Sequence, residues 1–149
     1  MKKLRIVLIA LILILLSTAA TGCSSNENIE EISERFFVQQ VNNIWFNLDS
    51  YVGRTIQLEG MFFNWQAPQP DGTMGEFHFV VRFLSGCCGD EGNIGFEIAM
   101  GDFEPFADNT WVSVTGVLGA VEGTHGNTPM LRVTAIEALA ERGAEVVFS

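Results

Sequence analysis

Apolar and polar residues alternate with a period of two in five runs after residue 51, which is the pattern of half-buried β-strands. In the first run, Ile56, Leu58 and Phe62 fall on one face, and we assign that face to the core. Turns rich in glycine and aspartate separate the runs. The five predicted strands cover residues 55–63, 76–84, 94–100, 111–118 and 130–139.

Glycine and proline positions indicate how these strands are connected and bent. Residues 64–75, with two prolines and two glycines, predict a long loop between the first two strands. Gly60 and Gly116 lie inside strand patterns, where glycine commonly permits a bulge or a bend. Five short strands that curve and close on themselves leave no edge exposed. We therefore expect a mainly β protein, a five-stranded barrel like the oligonucleotide/oligosaccharide-binding (OB) fold, with a small β-sandwich as the alternative.

A helical pattern precedes the strands. From about residue 32 to 48 the apolar side chains recur at spacings of four, three and four, which places them on one stripe of an amphipathic helix. We expect this N-terminal helix to pack on the barrel, and a helix that binds a partner is the alternative. The stripe consists of Phe37, Val41, Ile44 and Leu48.

The first residues have the pattern of a secretory leader. Three basic residues precede an apolar run over residues 6–16, and small residues then lead to Cys23. Residues 20–23 resemble the bacterial lipobox, with Ala20 where leucine is usual, so we expect a lipid on Cys23. The apolar run is shorter than the roughly 20 residues that span a bilayer, which disfavours an uncleaved anchor; an ordinary secreted protein is the other alternative.

This pattern predicts the organisation and the location of the chain. We expect a lipoprotein signal peptide over residues 1–22, a lipidated tether over residues 23–31, and the helix with its OB-like barrel over residues 32–149. The mature protein would then be anchored to the cell membrane by its lipid and face outward, where a membrane permease or another envelope protein would be its partner.

Charge narrows the classes of partner. Cleavage before Cys23 removes three of the eight basic residues, which leaves five arginines against 18 acidic residues and a formal charge of about −13. Nucleic-acid binding depends on basic residues that neutralise phosphates, so the composition excludes a nucleic-acid partner. An acidic surface favours solubility and is weak evidence for cation binding.

Cys87 and Cys88 are neighbours in a glycine-framed turn that also contains Asp90. Side chains of neighbours on a strand point to opposite faces, whereas a turn lets both sulfurs meet one ligand. Two thiolates suit zinc or copper, with Asp90, Glu91 or His78 completing the shell. A disulfide between neighbours, whose Cα atoms are about 3.8 Å apart, would be strained and easily reduced. Reduced thiols that pack without any cofactor fit the spacing equally well.

Other candidate residues are few. The odd-numbered positions from 77 to 83 are apolar and share one face; if that face is the core, His78 lies on the opposite face, which leads toward the cysteine turn. A hydrogen-bonded or surface histidine is the alternative, and His125 falls in a predicted hairpin loop. Trp65, in the first predicted loop, is a candidate for contact with a partner protein. The motifs of common hydrolases and nucleotide-binding enzymes are absent, which favours a protein without catalysis.

Several segments resemble one protein family. Residues 51–56, 82–83, 87–90 and 111–116 are similar to the C-terminal domain of the YcgQ-like permease-subunit family, and more closely to small firmicute lipoproteins that present this domain alone. The similarity covers about residues 36–148. It implies a surface-exposed OB-like accessory domain and the candidate positions Cys87, Cys88 and Asp90, without a mechanism, because the family has no established activity.

Three functions follow from these observations. The first is a binding module that captures a metal ion or small solute through the cysteine turn for a membrane transporter. The second is an interaction domain in which the cysteines only stabilise the turn. The third is a thiol redox protein. Metal content and the reactivity of the two thiols distinguish them.

Overall fold

The computed structural model describes residues 29–69, 71–85, 91–123 and 126–148. Seven strands and two helices follow one another along this part of the chain. The helices are α1 (Phe37–Phe46) and α2 (Leu48–Tyr51), preceded by a 3-10 turn at Glu34–Phe36. The strands are β1 (Ile29–Glu31), β2 (Thr55–Pro68), β3 (Met74–Ser85), β4 (Glu91–Ala99), β5 (Trp111–Gly123), β6 (Gly126–Ala138) and β7 (Val146–Phe148).

The five long strands close into a barrel. Strand β2 pairs antiparallel with β5 through its first half and with β3 through its second half, and β3 pairs antiparallel with β4. Strands β4 and β6 pair in parallel, and β6 returns antiparallel to β5. The cyclic order β2-β3-β4-β6-β5 is that of an OB-like barrel, so the predicted fold is confirmed.

Two glycines allow the strands to bend as predicted. At Gly60, where β2 changes partner, an added Cβ would lie 2.8 Å from the Val81 carbonyl oxygen. The close approach of β2 to β3 therefore requires glycine at this position. The pairing of β5 with β6 shifts register between Thr115 and Gly116, which marks a bulge.

Helix α1 packs against the barrel core with the predicted stripe. Tertiary packing stabilises this helix, because a helix of this length is not stable on its own in water. Its outer edge leaves Trp45 43% exposed. Among the residues that the structure describes, no helix has both the length and the apolar character needed to cross a membrane. The buried stripe consists of Phe37, Val41 and Ile44 of α1 and of Leu48, the first residue of α2, because the helix predicted over residues 32–48 is shorter and ends before Asn47.

The folded domain begins earlier than predicted. Residues 29–31, assigned to the tether, form β1, which pairs in parallel with Thr55–Gln57 of β2. Ile32 follows with 3% of its surface exposed and belongs to the core. Strand β7 likewise adds to β3 in parallel. Strands of three residues are too short to show a periodic pattern, and this is why the sequence did not indicate them.

The predicted loop over residues 64–75 is wrong in extent. Strand β2 continues to Pro68 and pairs with β3 from Met74, so that only residues 69–73 connect them. Trp65 therefore lies on a strand and not in a loop. Proline is compatible with this position because it is the last residue of the strand.

The assignment of the two faces of β3 is also wrong. The odd-numbered positions from 77 to 83 point outward, and Phe83 is 44% exposed. The inner face carries Val80, which is fully buried, together with His78 and Arg82. Because both faces of this strand carry apolar side chains, the alternation alone could not show which one faces the core.

Candidate functional site

A groove with mainly apolar walls lies on the outer face of β2, β3 and β4. Its volume is about 350 Å³, within the roughly 300–1,000 Å³ of small-molecule sites. Helix α1 forms one wall and the start of β6 forms another. Its lining residues are Trp45, Phe63, Trp65, Phe79, Val81, Asn93, Gly95, Glu97, Thr128 and Pro129.

The strand register brings the aromatic side chains of the groove together. Phe63 on β2 is directly opposite Phe79 on β3, and Phe79 is opposite Glu97 on β4. Side chains in such a cross-strand row lie on the same face and touch. The ring of Trp65 tilts at 46° over Phe79, with centroids 6.3 Å apart. These three aromatic side chains therefore lie on one face of the sheet, beside the carboxylate of Glu97.

A glycine and a tryptophan shape the depth of the groove. Gly95 lies beside Glu97 in the floor, where a Cβ would overlap the carbonyl oxygen of Val80. The bare backbone there also leaves room for Trp45, whose Nε1 donates a hydrogen bond to the Gly95 carbonyl at 3.3 Å. That bond holds the wall from α1 against the floor from β4.

Glu97 is the only ionisable side chain that lines this groove among the described residues. Partial burial raises its pKa above the ordinary value of 4.5. No hydrogen-bond donor or cation among the described residues pairs with it. The groove therefore combines aromatic faces with one carboxylate that has lost part of its hydration.

His78 is fixed inside the barrel. Its Nδ1 lies 2.8 Å from Asn64 Oδ1, and its ring stacks on Phe62 with centroids 5.6 Å apart. Ser85 is the last described residue before the cysteine turn. It lies seven positions further along the strand than His78, which is about 23 Å at the usual rise per residue. The residues that the structure describes contain no cluster of side chains suited to a metal ion.

The comparison with protein families decides where this chain belongs. Residues 16–149 match the profile of the DUF1980 C-terminal domain. The chain belongs to this family. The match agrees with the resemblance to the YcgQ-like C-terminal domain, and that interpretation is confirmed. No curated protein matches this DUF1980 C-terminal domain.

Several predicted positions of this DUF1980 domain lie outside the described residues. Cys23, Cys87, Cys88 and Asp90 are among them, so lipidation and the thiol or metal site stay predictions. Of the described residues that flank the cysteine turn in the sequence, Ser85 of β3 pairs with Glu91 of β4.

Sequence reasoning found one residue of the groove, Trp65, and missed the others. The alternation in β2 could have shown a second residue. Phe62 was correctly assigned to the core, and because side chains on a strand alternate between its faces, Phe63 and Trp65 both point outward. Trp45 and Glu97 carried no such signal. Only the barrel brings a helix residue and a strand residue more than 50 positions apart to the same groove.

Proposed function

We propose that this chain is a binding module for a small solute, held outside the cell by a lipid on Cys23, and that the aromatic groove is its ligand site. The groove carries this proposal. Small-molecule sites are concave and mainly apolar, with a few polar groups that orient the ligand. A large exposed aromatic surface on a soluble domain otherwise favours aggregation.

The position of the groove on the barrel supports the same proposal. OB-fold proteins bind ligands on the face of their second and third strands and beside the hairpin of the last two. In this chain those strands are β3 and β4, and Thr128 and Pro129 come from the first residues after the β5–β6 turn. The groove thus occupies the surface that this architecture commonly uses for binding.

The fluorescence of two groove tryptophans provides the test. Trp45 and Trp65 line the groove, whereas Trp111 is buried in the barrel and serves as an internal reference. The full-length chain, expressed with its leader and purified in non-ionic detergent, is titrated with neutral sugars, small ammonium salts and short carboxylic acids. We expect saturable quenching by at least one class, and its loss in Trp65→Ala. No response to any class would contradict the proposal.

The cysteine turn is a second candidate, for capture of a metal ion. Its support is the adjacency of Cys87 and Cys88 in the sequence, between Ser85 and Glu91, which pair across β3 and β4. His78 is engaged elsewhere, so zinc or copper would depend on the two sulfurs and Asp90. Elemental analysis with thiol titration, in the chain and in a variant with both cysteines changed to serine, tests this site. Metal-free protein with unreactive thiols would favour an interaction domain, and reversible oxidation would favour a redox protein.

Membrane attachment and the partner complete the proposal. A lipid on Cys23 would hold the domain at the outward-facing surface of the cell membrane. There the domain would deliver its solute directly to a permease or to another envelope protein. Radiolabelled palmitate should enter the chain, and Cys23→Ser should abolish labelling. Recovery of an unlabelled chain with its leader intact would overturn the anchoring.

A further inference from the structure

The chemistry of the groove is specific enough to name a ligand class. We propose that it binds a small organic ammonium ion, seated on the faces of Trp65, Phe63 and Phe79 with Glu97 as its counter-charge. This inference rests on the proposed solute-binding function and narrows it to one charge and one shape of ligand.

Charge complementarity is the first argument. Glu97 is the only ionisable group among the described residues of the groove, and it lies at the end of the aromatic row. A carboxylate that is partly desolvated and unpaired is unfavourable, and a bound cation relieves that cost. An anionic ligand would increase the cost by adding a repulsive charge beside Glu97. No arginine among the described lining residues would neutralise such a ligand.

The aromatic faces are the second argument. Cations are attracted to the negative face of tryptophan and phenylalanine rings, by about 0.5–2 kcal/mol depending on solvent exposure. Trp65 is 56% exposed and Phe63 is 37% exposed, so their faces are accessible to a ligand. Arginine stacks on aromatic rings elsewhere in this chain, as at Tyr51 and Phe37, whereas the groove rings have no such partner among the described residues.

Few polar side chains line the groove, which argues against a neutral sugar. Recognition of several hydroxyl groups needs several fixed donors and acceptors. Besides Glu97, the described lining residues offer the side chains of Asn93 and Thr128 and the indole N–H of Trp65, because the N–H of Trp45 is already bonded to the Gly95 carbonyl. An ammonium ion with alkyl substituents needs only aromatic faces and one negative charge. The small volume, about 350 Å³, suits a free solute of this kind.

Choline and its neutral isostere provide the test. In 3,3-dimethylbutan-1-ol a carbon replaces the nitrogen of choline, so shape is kept and charge is removed. With the full-length chain in non-ionic detergent at constant ionic strength, we expect choline chloride to bind at least about ten-fold more tightly than the alcohol. Glu97→Gln should reduce this preference several-fold without removing it, because the aromatic faces still attract the cation, and Trp65→Leu should weaken choline binding about ten-fold.

Matched controls separate charge from stability. Glu137→Gln makes the same change at an exposed position on β6 outside the groove, and should leave choline binding unchanged. Equal binding of choline and the alcohol, or a preference that Glu97→Gln leaves unchanged, would overturn the ammonium assignment. Binding of a sugar but not of choline would overturn it too, while solute binding itself would stand. If none of the sugars, ammonium salts and short carboxylic acids binds, both proposals fail.

Discussion

At the scale of single residues, a buried arginine connects both ends of the folded domain to the barrel. Arg82 is 1% exposed, and its Nε donates to the Glu59 carbonyl at 2.9 Å while Nη1 donates to the Ala144 carbonyl at 3.1 Å. Nη1 also lies 3.4 Å from the carboxylate of Glu34, just before α1. Burial lowers the pKa of Arg82, and the charge of Glu34 opposes that shift. The guanidinium further stacks on the rings of Phe37 and Trp111.

We predict that Arg82→Met destabilises the domain by about 2–4 kcal/mol, because the Glu59 and Ala144 carbonyls lose the donor that joins them to the barrel while the volume is nearly retained. The free energy of unfolding in urea measures this. Arg132→Met is the matched control, since this arginine is exposed on β6, and it should change stability by less than about 0.5 kcal/mol. Equal losses in the two variants would mean that the buried bonds contribute little.

A second residue-scale prediction concerns pH. Burial raises the pKa of Glu97, so the folded chain keeps this proton to higher pH than the unfolded chain. Stability from this group therefore falls as pH rises between the two pKa values. In the absence of ligand, Glu97→Gln should stabilise the domain slightly at neutral pH. The stability gained by Glu97→Gln should decrease as the pH falls through the pKa that Glu97 has in the folded chain. It should vanish below the ordinary value near 4.5. A gain that is independent of pH would show that charge is not its cause.

At the scale of elements, the contact of β3 with β4 depends on a glycine. At Gly95 an added Cβ would lie 2.8 Å from Val81 Cα and overlap the Val80 carbonyl. Gly95→Ala should therefore push the strands apart and cost about 1–3 kcal/mol or more. Gly92→Ala lies on the same strand with nothing within 4 Å of the added atom, and should be nearly neutral. Chemical denaturation compares the two; similar stabilities would mean that the strands separate without cost.

The short first strand provides another prediction at this scale. Ile32 directly follows β1 and is 3% exposed, whereas Ile29 within β1 is 51% exposed. Ile32→Ala should cost about 2–4 kcal/mol, and Ile29→Ala less than about 0.5 kcal/mol. Thermal unfolding of both variants measures the difference. If neither change matters, Ile32 does not contribute to the core from which its burial was inferred.

These elements also show how far the sequence could predict the fold. The alternation in β2 placed Ile56, Leu58 and Phe62 in the core correctly, because its outer face in that half is polar enough to contrast with its inner face. Strand β3 has apolar residues on both faces, and there the same reasoning put the wrong face inside. The difference is physical: the outer face of β3 is apolar because it lines a groove.

At the scale of the whole molecule, the groove depends on closure of the barrel. Trp45 comes from α1, Phe63 from β2, Phe79 from β3 and Glu97 from β4, and none of these positions is informative alone. Local patterns predicted the elements, because helix and strand periods act over a few residues. The site was not predictable in the same way, since strand register and helix packing decide which outward side chains become neighbours.

The net charge of the chain leads to the last prediction. With a formal charge of −10, acidic groups repel one another in the folded state. The described residues contain three ion pairs, and in two of them both side chains are substantially exposed, so few contacts offset this repulsion. Sodium chloride near physiological strength screens charges beyond about 8–10 Å, and should raise the midpoint of thermal unfolding relative to low salt.

Sodium chloride and sodium sulfate at equal ionic strength should act similarly at low concentration, because screening depends on ionic strength. A midpoint that falls with added salt would mean that attraction between charges dominates in the folded domain. The same screening should weaken choline binding, so salt would stabilise the fold while it reduces the affinity for an ammonium ligand.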